Sequence, residues 1–439
     1  MHPKAVEAIR REIRAALDGM QIDVGQRFPR FSISTMDRIQ RYVDQALKDG
    51  TLKKHLRASE LFELFFDALN GMVHTRSKEL ASSSSSFRER VGDDGIKEIE
   101  DSIIRVLESI PRAYVAYFWL PSGGHIHAPV GEIAPGIRII DRNSAEDVPK
   151  ALWKREEPRM RSLSDLLGPA STSSLATAFK REPDDEPSLY LAIEGQGYSK
   201  GRLSNPTNQF LVARMKHVIA LGVTVQGFGA DRLGNQFQEG SLSTLQVYDS
   251  GDDTAEQIVL PESMARYLGN ISVLSEMWLS KLPNVALTMT AKDVEPTRQR
   301  LFKEHFSEVT NCIAADAKEV LTAAEWAFDA SAERNETLSY LYTAIGLEAA
   351  LGSDAKRVVE SLSDRLSYLV GTTRSEREKI QNEFTKFYEH RSKIVHGRIA
   401  QLRGAESELL RWGNGMLYRA IRRELSLIDE VATAVANAP

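Results

Sequence analysis

The sequence predicts an α+β protein in which helices at both ends of the chain flank a module that contains strands. Three observations predict this class. Apolar residues recur at helical spacing through the first 110 residues, and runs rich in aromatic and β-branched residues follow from Ala113. Beyond Pro296 the strand signals stop and the pattern is helical again. With 439 residues, 42% of them hydrophobic, the chain is long enough for roughly two to three domains.

The N-terminal segment, residues 1–110, is predicted to be helical. Its first helix carries Val6, Ile9, Ile13 and Leu17 on one face, and a later helix presents a second apolar face, Leu61, Phe62, Phe65, Phe66 and Leu69. The serine run Ser82–Ser86 favours a flexible connection or a helix start, because serine side chains compete for backbone hydrogen bonds.

The middle module, residues 111–295, is predicted to be mixed α/β and has no assigned role. Its predicted strands are Ala113–Leu120, Gly136–Ile140, Ser188–Ile193, Gly222–Phe228, Ser243–Tyr248 and Asn284–Met289. The polar loops between them, Pro121–Gly136 and Gly168–Pro187, are long enough to indicate either disorder or a binding surface. Neither alternative is favoured by the sequence.

Two motifs in this module resemble ligand sites but lack essential parts. His125 and His127 have the spacing of metal ligands on a strand, yet no third ligand is evident, so an ordinary loop is favoured over a zinc site. Gly195 and Gly197 lack the remaining residues of a phosphate-binding loop. The sequence therefore predicts no metal and no cofactor.

The C-terminal segment, residues 296–439, is predicted to be an all-α bundle that begins at a boundary near Val294–Pro296. Its helices are expected over Pro296–Phe328, Glu336–Leu351, Asp354–Val370, Ser375–His396 and Gly404–Ala436. In the second of these, the residues expected to face the core are Leu338, Leu341, Tyr342, Ile345 and Leu351. Amphipathic helices joined by short connections are typical of a bundle.

Charge and cysteine usage exclude several classes of protein. The net charge is −5, so contact with nucleic acid requires a local basic patch rather than bulk attraction. The single cysteine, Cys312, rules out an intrachain disulfide and a thiolate zinc cluster, and its position predicts helix core. No apolar run approaches the roughly 20 residues of a membrane span, and no signal peptide is apparent. These features predict a soluble cytoplasmic protein with no membrane partner.

The segment FYEHRSKIVHGR, residues 387–398, holds the candidate chemistry. Arg391 lies on the same helix face as Phe387 and Tyr388, which are expected to be buried. A charged side chain on a buried face requires either an ion-pair partner or a function. His396 lies about 140° further round the helix and is predicted to sit in its last turn, before Gly397. The structural alternative is a capping histidine and an arginine paired with a carboxylate such as Glu348. Arg300 and His305 share the R-x4-H spacing, so spacing alone does not decide.

Three segments in register supply a family resemblance. They are YLYTAIGLEAALG (340–352), LSDRLSYLVG (362–371) and FYEHRSKIVHG (387–397). Together they resemble the Apea-like branch of the HEPN superfamily, over about residues 296–436. The resemblance implies a metal-independent endoribonuclease that acts as a homodimer through the C-terminal bundle, with Arg391 and His396 as catalytic residues.

The same resemblance implies supporting roles for Ser392, Tyr388, Glu348 and Arg365. Active members often carry Asn, Asp or His where this chain has Ser392. The resemblance further implies a toxin or antiphage effector, with the N-terminal region sensing a trigger ligand or protein.

Local charge is consistent with an RNA partner. Between Arg391 and Arg423 the chain carries eight basic and two acidic residues, a surplus of six. Within this patch, Lys393, Arg398 and Arg403 are the predicted RNA contacts. The alternative function is a non-catalytic dimerisation or RNA-binding scaffold whose activity resides in the N-terminal module. Ser392 and the unremarkable net charge of the chain favour that alternative.

Overall fold

The chain folds into two compact units in a computed structural model that describes residues 1–22, 31–75, 85–120, 131–141, 189–230, 244–273, 303–304, 306–352 and 358–436. The first unit comprises Met1–Tyr114, Gly195–Phe210 and Asp249–Asp252. The second comprises Val115–Glu194, Leu211–Tyr248 and Asp253–Pro439. Helices at both ends of the chain and a sheet between them confirm the α+β class.

Five helices form most of the first unit: α1 (Pro3–Asp18), α2 (Ile33–Ala46), α3 (Gly50–His55), α4 (Ala58–Thr75) and α5 (Phe87–Glu108). The predicted apolar faces make its core, in which Ile9 and Ile13 of α1 and Phe65 of α4 are fully buried. The carboxylate of Glu100 in α5 is also buried, and Arg14 of α1 binds it at 2.8 and 2.9 Å. This pairing offsets the unfavourable burial of a charge.

The serine run ends in a helix start. Ser85–Ser86 forms a short strand, β2, that pairs antiparallel with β1 (Gln21–Ile22). The Ser86 hydroxyl then accepts from the Glu89 amide at 3.2 Å, while the Glu89 carboxylate accepts from the Ser86 amide at 3.0 Å. This capping box satisfies two amides that a helix terminus leaves without partners. Residues 82–84 lie outside the described residues.

A six-stranded sheet forms the β part of the second unit, with a few strand ends assigned to the first. Its strands are β3 (Arg112–Leu120), β4 (Gly131–Ala134), β5 (Ile137–Asp141), β6 (Leu189–Gly197), β8 (Thr244–Asp249) and β9 (Thr254–Val259), in the order β4-β5-β6-β3-β8-β9. Two short strands, β7 (Phe228–Ala230) and β10 (Ile271–Val273), pair antiparallel with each other.

Four of the predicted strands are confirmed as β3, β5, β6 and β8. The prediction Asn284–Met289 and both candidate histidines, His125 and His127, lie outside the described residues, as does the loop 168–187. Strands β4, β9 and β10 were not expected, because they are short and carry little period-two alternation.

The predicted strand Gly222–Phe228 is wrong. Residues up to Thr224 belong to helix α6 (Pro206–Thr224), and the strand begins only at Phe228. The side chain of Asn205 accepts from the amides of Thr207 and Asn208, which starts the helix ahead of Pro206 in its first position. Once started, the helix continues through residues whose own preference is for strands, and burial stabilises it there.

The bundle contains α7 (Glu262–Gly269), α8 (Lys318–Ala332), α9 (Glu336–Leu351), α10 (Val358–Val370), α11 (Arg374–Val395) and α12 (Ala405–Ala436). The predicted stop after Leu351 is confirmed, since Gly352 has a φ of 69°. The prediction of one continuous first helix, Pro296–Phe328, is wrong. Helical turns over 306–314 end before Asp316, whose φ is 48°, and α8 starts after that residue.

No helix in the described ranges is long and apolar enough to cross a membrane.

The predicted core face of α9 is also wrong. Of its five expected residues only Leu351 is buried, and Leu338 is 39% exposed. The buried face consists mainly of small and polar residues, with Tyr340 and Leu347. Gly346 explains the difference, because a Cβ there would lie 2.8 Å from Leu417 of α12. The helix therefore packs through its smallest residues, where the backbones approach most closely.

The helical bundle and the sheet module lie in one compact unit, whereas the sequence predicted separate segments. Lys216 of α6 donates to Asp329 of α8 at 2.8 Å, and Arg266 of α7 donates to the Ala332 carbonyl at 2.7 Å. Such contacts join helices on both sides of the predicted boundary. The boundary itself, Val294–Pro296, lies outside the described residues.

Aromatic stacking fixes the C-terminal half of α11. The Phe387 ring lies 4.4 Å from the Tyr340 ring, centroid to centroid, with 12° between their planes. The Tyr340 hydroxyl donates to the Phe387 carbonyl at 2.8 Å. Gly413 of α12 lies directly against the Phe387 ring, with no room for a side chain.

We expect Gly413→Ala to lower the free energy of unfolding by about 1–3 kcal/mol, because the added methyl group overlaps the Phe387 ring. Gly415→Ala is the matched control on the same helix, since a Cβ there meets nothing within 4 Å. That variant should gain up to about 1 kcal/mol of helix propensity. Urea denaturation measures both values, and equal stability of the two variants would contradict the packing.

Candidate active site at the end of α11

The C-terminus of α11 is closed by a Schellman motif. The amide of Gly397, a residue with a φ of 70°, donates to the Ile394 carbonyl at 2.9 Å, and the Arg398 amide donates to the Lys393 carbonyl at 2.8 Å. His396 is the C-cap residue, whereas the sequence placed it in the last turn of the helix with Gly397 as the cap. A glycine permits the left-handed conformation that this motif needs, so the sequence itself ends the helix directly after the candidate histidine.

Arg391 is half-buried and held by two neighbours. Its Nη2 lies 3.3 Å from Oε1 of Glu348 on α9, and its guanidinium carbon lies 5.4 Å from the centre of the Tyr388 ring. The Tyr388 hydroxyl donates to the same Glu348 oxygen at 2.5 Å. Glu348 therefore fixes both side chains, and the guanidinium keeps 29% of its side-chain surface exposed.

The Tyr388 phenol stays protonated in the folded protein. Burial raises the pKa of Tyr388, and the hydrogen bond and negative charge of Glu348 raise that pKa further. Arg391 acts in the opposite direction with a smaller effect. Tyr388 is thus a constant donor to Glu348 across the neutral range.

His396 is exposed and lies on a different side of α11 from Arg391. Five residues of an ideal helix separate the two by about 140° and about 7.5 Å along the axis. Ser392, half-buried, lies one turn before His396 and next to Arg391 in sequence. A single chain therefore holds the two candidate catalytic side chains at one helix end without bringing them face to face.

Arg365 stabilises the helix that carries Glu348 and does not itself line the exposed surface of the site. Its guanidinium donates to the carbonyls of Leu351 and Gly352 at 2.7 and 3.3 Å. These carbonyls end α9, the helix that carries Glu348, and a basic group there is electrostatically favourable.

The basic patch is smaller than the sequence count indicates. Five of its eight cations lie near carboxylates, in the pairs Arg391–Glu348, Arg411–Glu408, Arg419–Glu376, Arg422–Glu308 and Arg423–Glu430. The other three are Lys393, Arg398 and Arg403, which are exposed and have no side-chain ion pair within the described residues. These three are the predicted RNA contacts, and they lie at or beyond the C-terminal end of α11.

Glu406 and His390 also contribute to this end of α11 and were not singled out from the sequence. One Glu406 oxygen accepts from the Arg403 amide at 2.7 Å, and the other lies 3.9 Å from Nδ1 of His390. The pair links α11 to the start of α12. The one sequence signal for this pair is that Glu406 follows Arg403 by three residues at the start of α12. That spacing is a common capping pattern and does not by itself indicate a functional site.

The remaining candidates of the sequence carry no site in the described part of the chain. Gly195 and Gly197 end strand β6 instead of opening a phosphate-binding loop. Cys312 is fully buried, and burial raises its pKa to about 12, so it is core and not a nucleophile. Among the described residues, no three His, Cys, Asp or Glu side chains are grouped so that they could hold a metal ion.

No family model matches the chain, and neither a curated protein nor a solved structure resembles it closely enough to count as a match.

We expect Tyr388→Phe to lower the free energy of unfolding by about 1–3 kcal/mol, because Glu348 loses a partly buried donor. Tyr342→Phe is the control, since this half-buried tyrosine of α9 has no hydroxyl partner among the described residues. Tyr342→Phe should lower the free energy of unfolding by no more than about 0.5 kcal/mol. Denaturation in urea at pH 7 measures both, and a Tyr388→Phe protein as stable as the control would contradict the hydrogen bond.

Proposed function

We propose that the C-terminal bundle is a metal-independent endoribonuclease with Arg391 and His396 as its catalytic residues. One observation carries the proposal. Arg391 is fixed by Glu348 and still open to solvent, at the same helix end as an exposed histidine and three cations that lack ion-pair partners in the described ranges. A fixed cation, a titratable imidazole and an uncompensated positive surface are what cleavage of a polyanion requires.

The chemistry follows from these residue types. The 2′-hydroxyl of RNA is an internal nucleophile, so cleavage needs a proton acceptor, a proton donor for the leaving 5′-oxygen and a cation for the crowded phosphate. Arg391 supplies the cation, with two N–H groups directed at phosphate oxygens. His396 transfers the protons. The products carry 2′,3′-cyclic phosphate and 5′-hydroxyl ends, and DNA is not cut.

A homodimer completes this site. Because Arg391 and His396 diverge by about 140° on one helix, a second chain is needed to supply the other proton-transfer group. Exposed apolar side chains at Val395 (52%) and Leu338 (39%) support an interface on these helices, since burying them is favourable. Ser392 donates to phosphate in this arrangement, whereas Tyr388, Glu348 and Arg365 position the arginine.

The family resemblance also implies a cellular role for this activity. An RNA-cleaving bundle of this kind acts in the cytoplasm as a toxin or antiphage effector. The N-terminal region then senses a trigger ligand or protein and regulates the basal cleavage activity.

The second candidate is a non-catalytic dimerisation or RNA-binding scaffold. The ion pair between Arg391 and Glu348, together with the capping position of His396, favours it, because both residues then have a structural use. In that case the activity resides in the N-terminal module, and the bundle binds RNA without cutting it.

We expect the purified protein to cleave total RNA in EDTA, and Arg391→Ala and His396→Ala each to reduce the rate by about 100-fold or more. Arg300→Ala and His305→Ala are matched controls, because they alter the other R-x4-H spacing in the chain. Their rates should equal that of the unaltered protein. Cleavage that survives His396→Ala, or that stops in EDTA, would contradict the proposal.

We expect the triple variant Lys393→Gln, Arg398→Gln, Arg403→Gln to bind single-stranded RNA more weakly and with less salt dependence. Loss of three phosphate contacts should lower the slope of log affinity against log salt by about 2. Arg374→Gln is the control, because it removes an exposed cation at the opposite end of α11. Fluorescence anisotropy over a salt series measures the slopes, and equal slopes would show that these side chains do not contact RNA.

A further inference from the structure

A second concave site lies at the opposite end of α11 from His396. It is a cavity of about 690 Å³ between the end of α10, the start of α11 and α12, and its lining includes Tyr368, Gly371, Thr372, Arg419, Arg422 and Arg423. An α-helix of 22 residues is about 33 Å long, so this cavity is separate from the candidate active site.

The three arginines of the cavity are fixed and still have donors available. Arg419 uses Nη2 for Glu376 at 2.8 Å and for the Val370 carbonyl at 2.9 Å. Arg422 and Arg423 each use Nη1, for Glu308 and Glu430. Within the described residues their other guanidinium nitrogens have no hydrogen-bond partner, and each side chain is 45–48% exposed.

Tyr368 supplies an aromatic surface beside these cations. Its side chain is 68% exposed, although its neighbours on α10 at Leu366 and Ser367 are fully buried. The Arg377 guanidinium lies 4.6 Å from the ring centre. That contact holds the ring by a cation–π interaction and leaves much of its surface open to a planar ligand.

We propose that this cavity binds a nucleotide, with the phosphates on Arg419, Arg422 and Arg423 and the base stacked on Tyr368. Guanidinium groups match phosphate oxygens in charge and geometry, and aromatic rings stack on every base. The volume lies in the range of small-ligand pockets. Three carboxylates hold the arginines and offset their charge, so bound phosphate takes the donors that those carboxylates leave open.

One exposed ring and one cluster of cations meet in one cavity, and this geometry favours a single nucleotide over a nucleic-acid strand. A strand requires successive stacking surfaces along a groove. The inference does not depend on ribonuclease activity, and binding can be measured on the full chain whether or not RNA is cut.

Isothermal titration calorimetry with ATP and with inorganic tripolyphosphate tests the site. Arg423→Glu should weaken both ligands by about tenfold or more, because it replaces a phosphate-binding cation with an anion. Tyr368→Ala should weaken ATP by about tenfold and leave tripolyphosphate unchanged, since only ATP carries a base. Tripolyphosphate thus separates phosphate recognition from base recognition.

The matched control is Arg411→Glu, which reverses an exposed arginine of the same helix whose partner is also a nearby glutamate. It should bind ATP as the unaltered chain does. If Arg423→Glu unfolds the protein, Arg423→Gln replaces it and should still weaken both ligands. Absence of ATP binding, or equal losses in Arg411→Glu and Arg423→Glu, would overturn the proposal. So would binding of single-stranded RNA through Arg423 without binding of ATP.

Discussion

Close packing of α9 against α11 and α12 is the constraint on which the candidate site depends. Gly346 and Gly413 remove the side chains that would keep these helices apart, and the Phe387 and Tyr340 rings fill the space between them. Interiors of this density tolerate little added volume. The Tyr340–Phe387 stack joins α9 to α11 and leaves Glu348 within reach of Tyr388 and Arg391.

The electrostatics of the bundle separate structural cations from exposed ones. All four arginines of α12 lie near a carboxylate, which removes most of the apparent basic surplus of the C-terminal segment. Three exposed cations without a side-chain ion pair among the described residues, Lys393, Arg398 and Arg403, lie close together near the end of α11. An acidic protein can therefore present a small basic surface without a large positive field.

The two sites proposed for this unit lie at the two ends of α11. Helix ends concentrate polar backbone groups, caps and irregular turns, so they are natural positions for ligand contacts on a rigid element. One end carries the Schellman turn with His396 and Gly397. The other begins at the Thr373 cap beside the arginine cavity. The same helix thus connects a candidate active site with a candidate nucleotide site.

The sequence by itself determined the fold class, the approximate bounds of four C-terminal helices and four strands, because glycines, caps and apolar periodicity act within a few residues. It also determined that α11 ends next to Gly397 and that Arg391 shares a face with aromatic residues. Tertiary structure alone decided the buried face of α9, the break at Asp316, the helix over 206–224 and the pairing of the arginines. These features depend on which distant surfaces meet, such as Gly346 against Leu417 or Arg422 against Glu308. Local spacing contains no information about such contacts.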